Sequence, residues 1–134
     1  MVEKITYDEN ILAIIIRAEH KSEGIEFFTP NEFSQQLAYM SHPAGHTIEP
    51  HIHNKISRKV NYTQEVLFIK SGKIKVNFYN NEQKYLESRV LLKGDIILLA
   101  TGGHGFEIID DAEFIEVKQG PYAGDIDKTR FKSG

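Results

Sequence analysis

Residues 65–100 read "EVLFIKSGKIKVNFYNNEQKYLESRVLLKGDIILLA". Four apolar runs, EVLFIK, KIKVNFY, KYLESRVLL and DIILLA, are parted by turn-forming residues: SGK at 71–73, YNNEQ at 79–83 and KGD at 93–95. Short alternating runs between turn signals are the pattern of an antiparallel sandwich or barrel. The same texture continues outward. ILAIIIRA (11–18), QQLAYMS (35–41) and TIEPHIH (47–53) precede the stretch, and GFEII (105–109) and EFIEVK (113–118) follow it across a DDA turn signal at 110–112. The only helical hint is TPNE at 29–32. There Thr29 can cap, Pro30 can open a first turn and Glu32 can close a capping box, which allows at most one short helical turn near residues 30–34. The fold class is all-β, an antiparallel sandwich or barrel.

The chain has 134 residues, enough for one domain (1–134) with a real core and no need of disulfides. Its net charge is −3 and its pI about 6.1, so no basic field recruits nucleic acid or acidic lipid, and neither is expected as a partner. With no cysteine, disulfides, thiolate metal sites and thiol nucleophiles are excluded together. The first ten residues, MVEKITYDEN, place acids where a signal peptide needs a basic start, and ILAIIIR is too short to span a membrane. A cytoplasmic location is the expectation. The tail 120–134, GPYAGDIDKTRFKSG, is expected to run irregularly over the surface.

Period-two alternation sorts the faces. His51 and His53 share a face with Thr47 and Glu49, while Ile48, Pro50 and Ile52 point the other way. On the next strand Glu65, Leu67 and Ile69 share one face, and the opposite face, Val66 and Phe68, is also apolar. Strands apolar on both sides are buried by a second layer or by another subunit, so a homodimer is expected.

Metal ligands must converge, and imidazoles at i and i+2 of a strand do. A hairpin brings Glu65 beside His51 and His53, and the glycines of GDIILLATGGHGFEII let the chain turn tightly and return His104 inward. Three imidazoles and one carboxylate suit a divalent transition metal (Mn, Fe, Co, Ni or Zn) and leave positions open for water or substrate.

With these residues in place the chain resembles the cupins. That family's first motif is G-x5-H-x-H, a short gap, then E-x6-G; Gly45, His51, His53, Glu65 and Gly72 keep both outer spacings, defining motif one as 45–72. Gly94, Gly102 and His104 match the second motif in order, within 94–108. The resemblance implies a small jelly-roll barrel of two antiparallel sheets, with His51, His53, Glu65 and His104 holding a metal at one end. The chain departs from the pattern in three ways. Eleven residues separate His53 from Glu65, Ala100 stands at the proline position with one residue rather than two between Gly102 and His104, and Ile108 stands at the terminal Asn position.

The insert at 54–64 carries Lys55, Arg58 and Lys59 at the expected barrel mouth. It reads either as a lid for an anionic substrate group or as a solvated hairpin loop. Pairing GFEII with EFIEVK across the DDA turn sets His104 near Gln119, a candidate partner for the metal site, and Phe106 near Val117. Met40, Leu67, Phe106, Ile115 and Val117 then form an apolar wall which, with Gln119 and Arg58, is the expected small-molecule pocket. The resemblance implies a metal-dependent isomerase, epimerase or dioxygenase acting on a sugar or an organic acid. The alternatives are a metal-free sugar-nucleotide isomerase or epimerase using His51 and His53 as acid and base, and a non-catalytic ligand-binding barrel.

Overall fold

The computed structural model describes residues 1–132; the last two residues of the expected tail, Ser133 and Gly134, lie outside the described residues. Eight strands form: β1 (Val2–Tyr7), β2 (Asn10–Ile16), β3 (Gly24–Phe27), β4 (Ala38–Ser41), β5 (Glu65–Tyr79), β6 (Tyr85–Leu92), β7 (Ile96–Leu99) and β8 (Gly103–Lys118). Among the described residues no α-helix forms, and none is long and apolar enough to cross a membrane. One 3-10 turn lies in the tail at Gly124–Asp127. Near residues 30–34, where at most a short helical turn was expected, the chain makes a single turn and no helix. Phe33 N–H donates to Pro30 O at 3.1 Å. The Thr29 hydroxyl, instead of capping, donates to Gln36 Oε1 at 2.7 Å and accepts from Leu37 N–H at 3.2 Å.

All sheet contacts are antiparallel, in the order β1-β2-β7-β5-β6 with β8 along the other edge of β5, while β3 and β4 make a separate two-stranded sheet. The axis of the molecule is the long β5–β8 ladder, running from Glu65↔Lys118 to Tyr79↔Gly103. Here the structure departs from the reading of SGK and DDA as turns. Both segments stay inside a strand, and the ladder bends where its register shifts, between Ile69 and Ile74. Gly72 sits at this bend with φ +88°, and a Cβ there would lie 2.1 Å from Asp111 O, so only glycine fits.

The bend curls the sheet into a half-barrel. Leu67 and Ile69 from the first half of β5 face Ile74, Val76 and Phe78 from the second, and Ile5, Leu12, Ala13, Ile15, Leu91, Ile97 and Leu99 close the core. On the outer side of β2 and β7, Phe28, Phe33, Leu37 and Tyr39 cover Ile14, Ile16 and Ile96. Residues 42–64 contain no strand. TIEPHIH, expected as a strand, lies exposed with no ladder partner, because Pro50 lacks an N–H and no neighbouring edge is engaged. The longer irregular segment replaces the expected hairpin loop.

A cavity around Glu65 and His104

Glu65 opens β5, where it is paired to Leu99 of β7 on one side and Lys118 of β8 on the other. After Leu99 the chain turns through Ala100–Gly102 and starts β8, so His104 comes back past the end of β5. Gly102 makes this possible with φ +75°, since a Cβ there would meet Tyr79 O at 2.7 Å. His104 then donates from Nε2 to Glu65 Oε1 at 2.8 Å, across 39 residues of sequence. The Glu65 side chain is 15% exposed and that of His104 30%.

The hydrogen bond from His104 holds the Glu65 carboxyl down at about 2 against burial, helped by a hydrogen bond with Glu116 and by the charges of His104 and Lys118. Glu116, one ladder step from Lys118 on the same face, is pushed up from the ordinary carboxylate range, first by its hydrogen bond with Glu65, then by burial and the Glu65 charge. The result is an ionised carboxylate aimed at an imidazole, with a second carboxyl beside it that holds its proton more tightly.

An open cavity of about 990 Å³ lies against this pair. Besides Glu65, His104 and Phe106, its wall includes Tyr62, Asn77, Tyr79, Lys128, Arg130 and Phe131. The tail is fixed there by Phe131, whose ring stands edge-on to Tyr79 at 5.1 Å and presses on Gly103, and by a hydrogen bond from the Thr63 hydroxyl to Asp127. A smaller hollow of about 230 Å³, between residues 60–63 and 118–130, includes Gln119.

Of the four expected metal ligands, the structure joins Glu65 and His104. His51 and His53 lie in the irregular segment with their rings 5.2 Å apart. His51 Nδ1–H donates to Glu49 O at 2.9 Å, which leaves its Nε2 lone pair free. Among the described residues, no group of three or more His, Asp or Glu side chains converges as a metal-holding set.

The expected pocket wall divides. Phe106 lines the cavity and Leu67 is in the core behind it. Met40 is on the separate β3–β4 hairpin, 56% exposed. Ile115 and Val117 face outward, opposite Phe68 and Val66, because β8 continues through 110–112 instead of folding back as a hairpin. For the same reason Phe106 finds Phe114 at 6.4 Å rather than Val117. Gln119 is engaged elsewhere than at His104: its N–H donates to Gln64 O at 3.1 Å and its side chain accepts from Gln35 Nε2 at 3.5 Å. Lys55, Arg58 and Lys59 line neither hollow.

The cavity's cations come from the tail instead. Lys128, Asn77, Tyr79 and Phe131 were not singled out in the sequence, where a Pro- and Gly-containing charged tail carries no periodicity to place it. The alternation of KIKVNFY does mark its apolar face, but it says nothing of what the far end borders.

No protein-family model, no curated protein and no solved structure matches the chain.

Proposed function

We propose that the chain is a cupin-type barrel performing metal-dependent chemistry on a small organic molecule in the cavity beside Glu65 and His104. The observation that carries this reading is the 2.8 Å approach of Glu65 Oε1 to His104 Nε2 at the cavity wall. Ligand bonds of ~2.0–2.2 Å, at the angles of a tetrahedral or octahedral ion, set neighbouring donor atoms ~3 Å apart. An ionised carboxylate and an imidazole at this spacing are half of a ligand set of three imidazoles and one carboxylate.

His51 and His53 supply the other half when residues 47–53 add as a strand to the free edge of β8, completing a jelly roll. That edge is 16 residues long and carries exposed apolar side chains, among them Phe106 and Ile108, and open edges of this kind call for cover. The free Nε2 of His51 fits the same role. A divalent transition metal bound there supplies Lewis-acid polarisation of a substrate oxygen. Around it Phe106 gives an apolar wall, and Lys128 and Arg130 offer charge to the carboxylate or phosphate of an organic acid or a sugar derivative. Arg130 is already oriented by Asp125 at 3.1 Å.

A second reading is favoured by the same hydrogen bond. Glu65 orients and polarises the His104 imidazole as a metal-free acid–base pair, so proton transfer belongs to His104 rather than to His51 and His53.

Elemental analysis of protein purified without a metal-affinity tag separates the two readings. One equivalent of transition metal, lost in a His51→Ala/His53→Ala variant that keeps its β-type circular dichroism, is the outcome expected from the first. Protein that neither carries nor takes up Mn, Fe, Co, Ni or Zn would sink the metal reading and leave the acid–base pair.

A further inference from the structure

The outer face of the main sheet carries two apolar rows that cross four strands. One runs Ile14, Leu98, Val66, Val117, and the other runs Ile16, Ile96, Phe68, Ile115, each residue directly opposite the next across the ladders of β2, β7, β5 and β8. Chemistry is uniform along the rows but burial is not. Ile14 and Leu98 are 0% exposed and Ile16 is 6%, whereas Phe68 is 40%, Ile115 52% and Val117 57% exposed. The covered end lies under Phe28, Leu37 and Tyr39 of the β3–β4 unit. Over β5 and β8 Val66 is half-buried and the other three residues are exposed.

The β3–β4 unit carries apolar side chains on both faces, with Glu26 beside Tyr39 on the inward one. Tyr39 turns toward the sheet and its register neighbours alternate away from it, so Ile25, Phe27 and Met40 point outward at 54%, 62% and 56% exposure. Ile25 and Met40 are a direct cross-strand pair, which makes this outward face continuous. A hairpin with one apolar face on its own sheet and another turned outward has the form of a layer between two sheets.

We propose that this face is a two-fold interface with a second copy of the chain, in which the outward face of one protomer's β3–β4 hairpin covers the half-buried Val66 and the exposed Phe68, Ile115 and Val117 of its partner. Both surfaces lie on the same side of the molecule, so one rotation axis satisfies hairpin on sheet twice. Six large apolar side chains on the two surfaces, Ile25, Phe27, Met40, Phe68, Ile115 and Val117, are each 40% exposed or more, a substantial part of the ~800 Å² per partner that a standard interface buries. The interface uses a sheet face, not the free edge of β8, and stands independently of the chemistry at Glu65.

Sedimentation equilibrium of the full chain tests the state, and engineered thiols test the geometry. Wild type is expected as a dimer. Ile115→Lys/Val117→Lys and, separately, Phe27→Lys are each expected to weaken dimerisation at least ~10-fold with circular dichroism unchanged. Because the chain has no cysteine, any disulfide reports only introduced thiols. Phe27→Cys protein mixed with Ile115→Cys protein is expected to cross-link on removal of reductant, far more than either alone. A monomeric wild type overturns the proposal. So does a dimer whose cross-linking is as strong within one variant as in the mixture, or one indifferent to both charge substitutions.

Discussion

Residues 42–64 and residues 65–79 each carry part of the expected ligand set, yet they stand at opposite ends of the range of packing. Gly45 and Gly72 have the same left-handed backbone, φ +89° and +88°, but a Cβ on Gly45 meets nothing within 4 Å while one on Gly72 meets Asp111 O at 2.1 Å and Ala112 Cα at 2.6 Å. Ile69 is 0% exposed and Ile52 88%. Glu65 is therefore positioned by ladders on both sides and by the returning His104, whereas His51 and His53 have only each other and the local carbonyl of Glu49. Half of the candidate site is preorganised by the core. The other half takes its position only when something further holds residues 47–53.

The sharpest way to break this contrast is the same substitution in both regions. Gly72→Ala is expected to cost ~3 kcal/mol or more, since left-handed strain adds to a backbone clash, while Gly45→Ala costs ~1 kcal/mol of strain alone. Urea-unfolding midpoints measure both, and similar costs would show that the bend at 70–73 is looser than described. Next in size, Ile69→Ala is expected to lose about 3 kcal/mol through cavity formation, and Ile52→Ala less than ~0.5 kcal/mol. An Ile52→Ala loss above about 1 kcal/mol in metal-free protein would mean the segment is already docked.

A smaller, pH-dependent effect follows from Glu65. Its carboxyl titrates at about 2 in the fold against 4.5 ordinarily, so its stabilisation is fully present above about 4.5 and is lost as pH falls toward 2. Glu116 is raised and acts in the opposite sense, its penalty being relieved as pH falls. In metal-free protein Glu65→Gln should therefore be less stable at neutral pH and flatter in its stability between pH 4.5 and 2, whereas Glu116→Gln should differ in slope from wild type above about pH 4.5, where it removes a penalty that grows as pH rises. Unfolding midpoints from pH 2 to neutral check both slopes; parallel curves for Glu65→Gln and wild type between pH 4.5 and 2 would remove the His104–Glu65 interaction from the account. The smallest effect is that of His51→Ala/His53→Ala on metal-free stability, within ~0.5 kcal/mol, because neither ring is packed.

Much of the architecture was legible in advance. EVLFIK, KIKVNFY, KYLESRVLL and DIILLA all lie in strands, and the turns at YNNEQ and KGD are real: Asn80 Oδ1 accepts from Glu82 and Lys84 N–H at 2.9 and 3.0 Å, and Gly94 supplies φ +88°. Glycine-rich ATGG did mark the place where the chain turns back to deliver His104. Two further strands, β1 and β3, escaped notice. β1 mixes charge and apolar residues, and pairs to β2 through a two-residue turn in which Asp8 and Glu9 both take positive φ without a glycine to announce it. β3 has only four residues.

By itself the sequence determined the all-β class, the two faces of the first half of β5, and the candidate chemistry of Glu65 and His104, because alternation and turn residues are properties of a few neighbouring positions. Only the tertiary structure decided what SGK and DDA do. Each is a local signal that the chain can change direction; whether it reverses as a hairpin or bends without losing its partner depends on the strand opposite. Here the two signals face one another across the β5–β8 ladder, Gly72 packing against Asp111 and Ala112, so both strands bend together and neither turns back. That coupling is non-local, and it sets which side chains line the cavity, turns Ile115 and Val117 outward, and brings the tail's Lys128, Arg130 and Phe131 to the site in place of the basic insert.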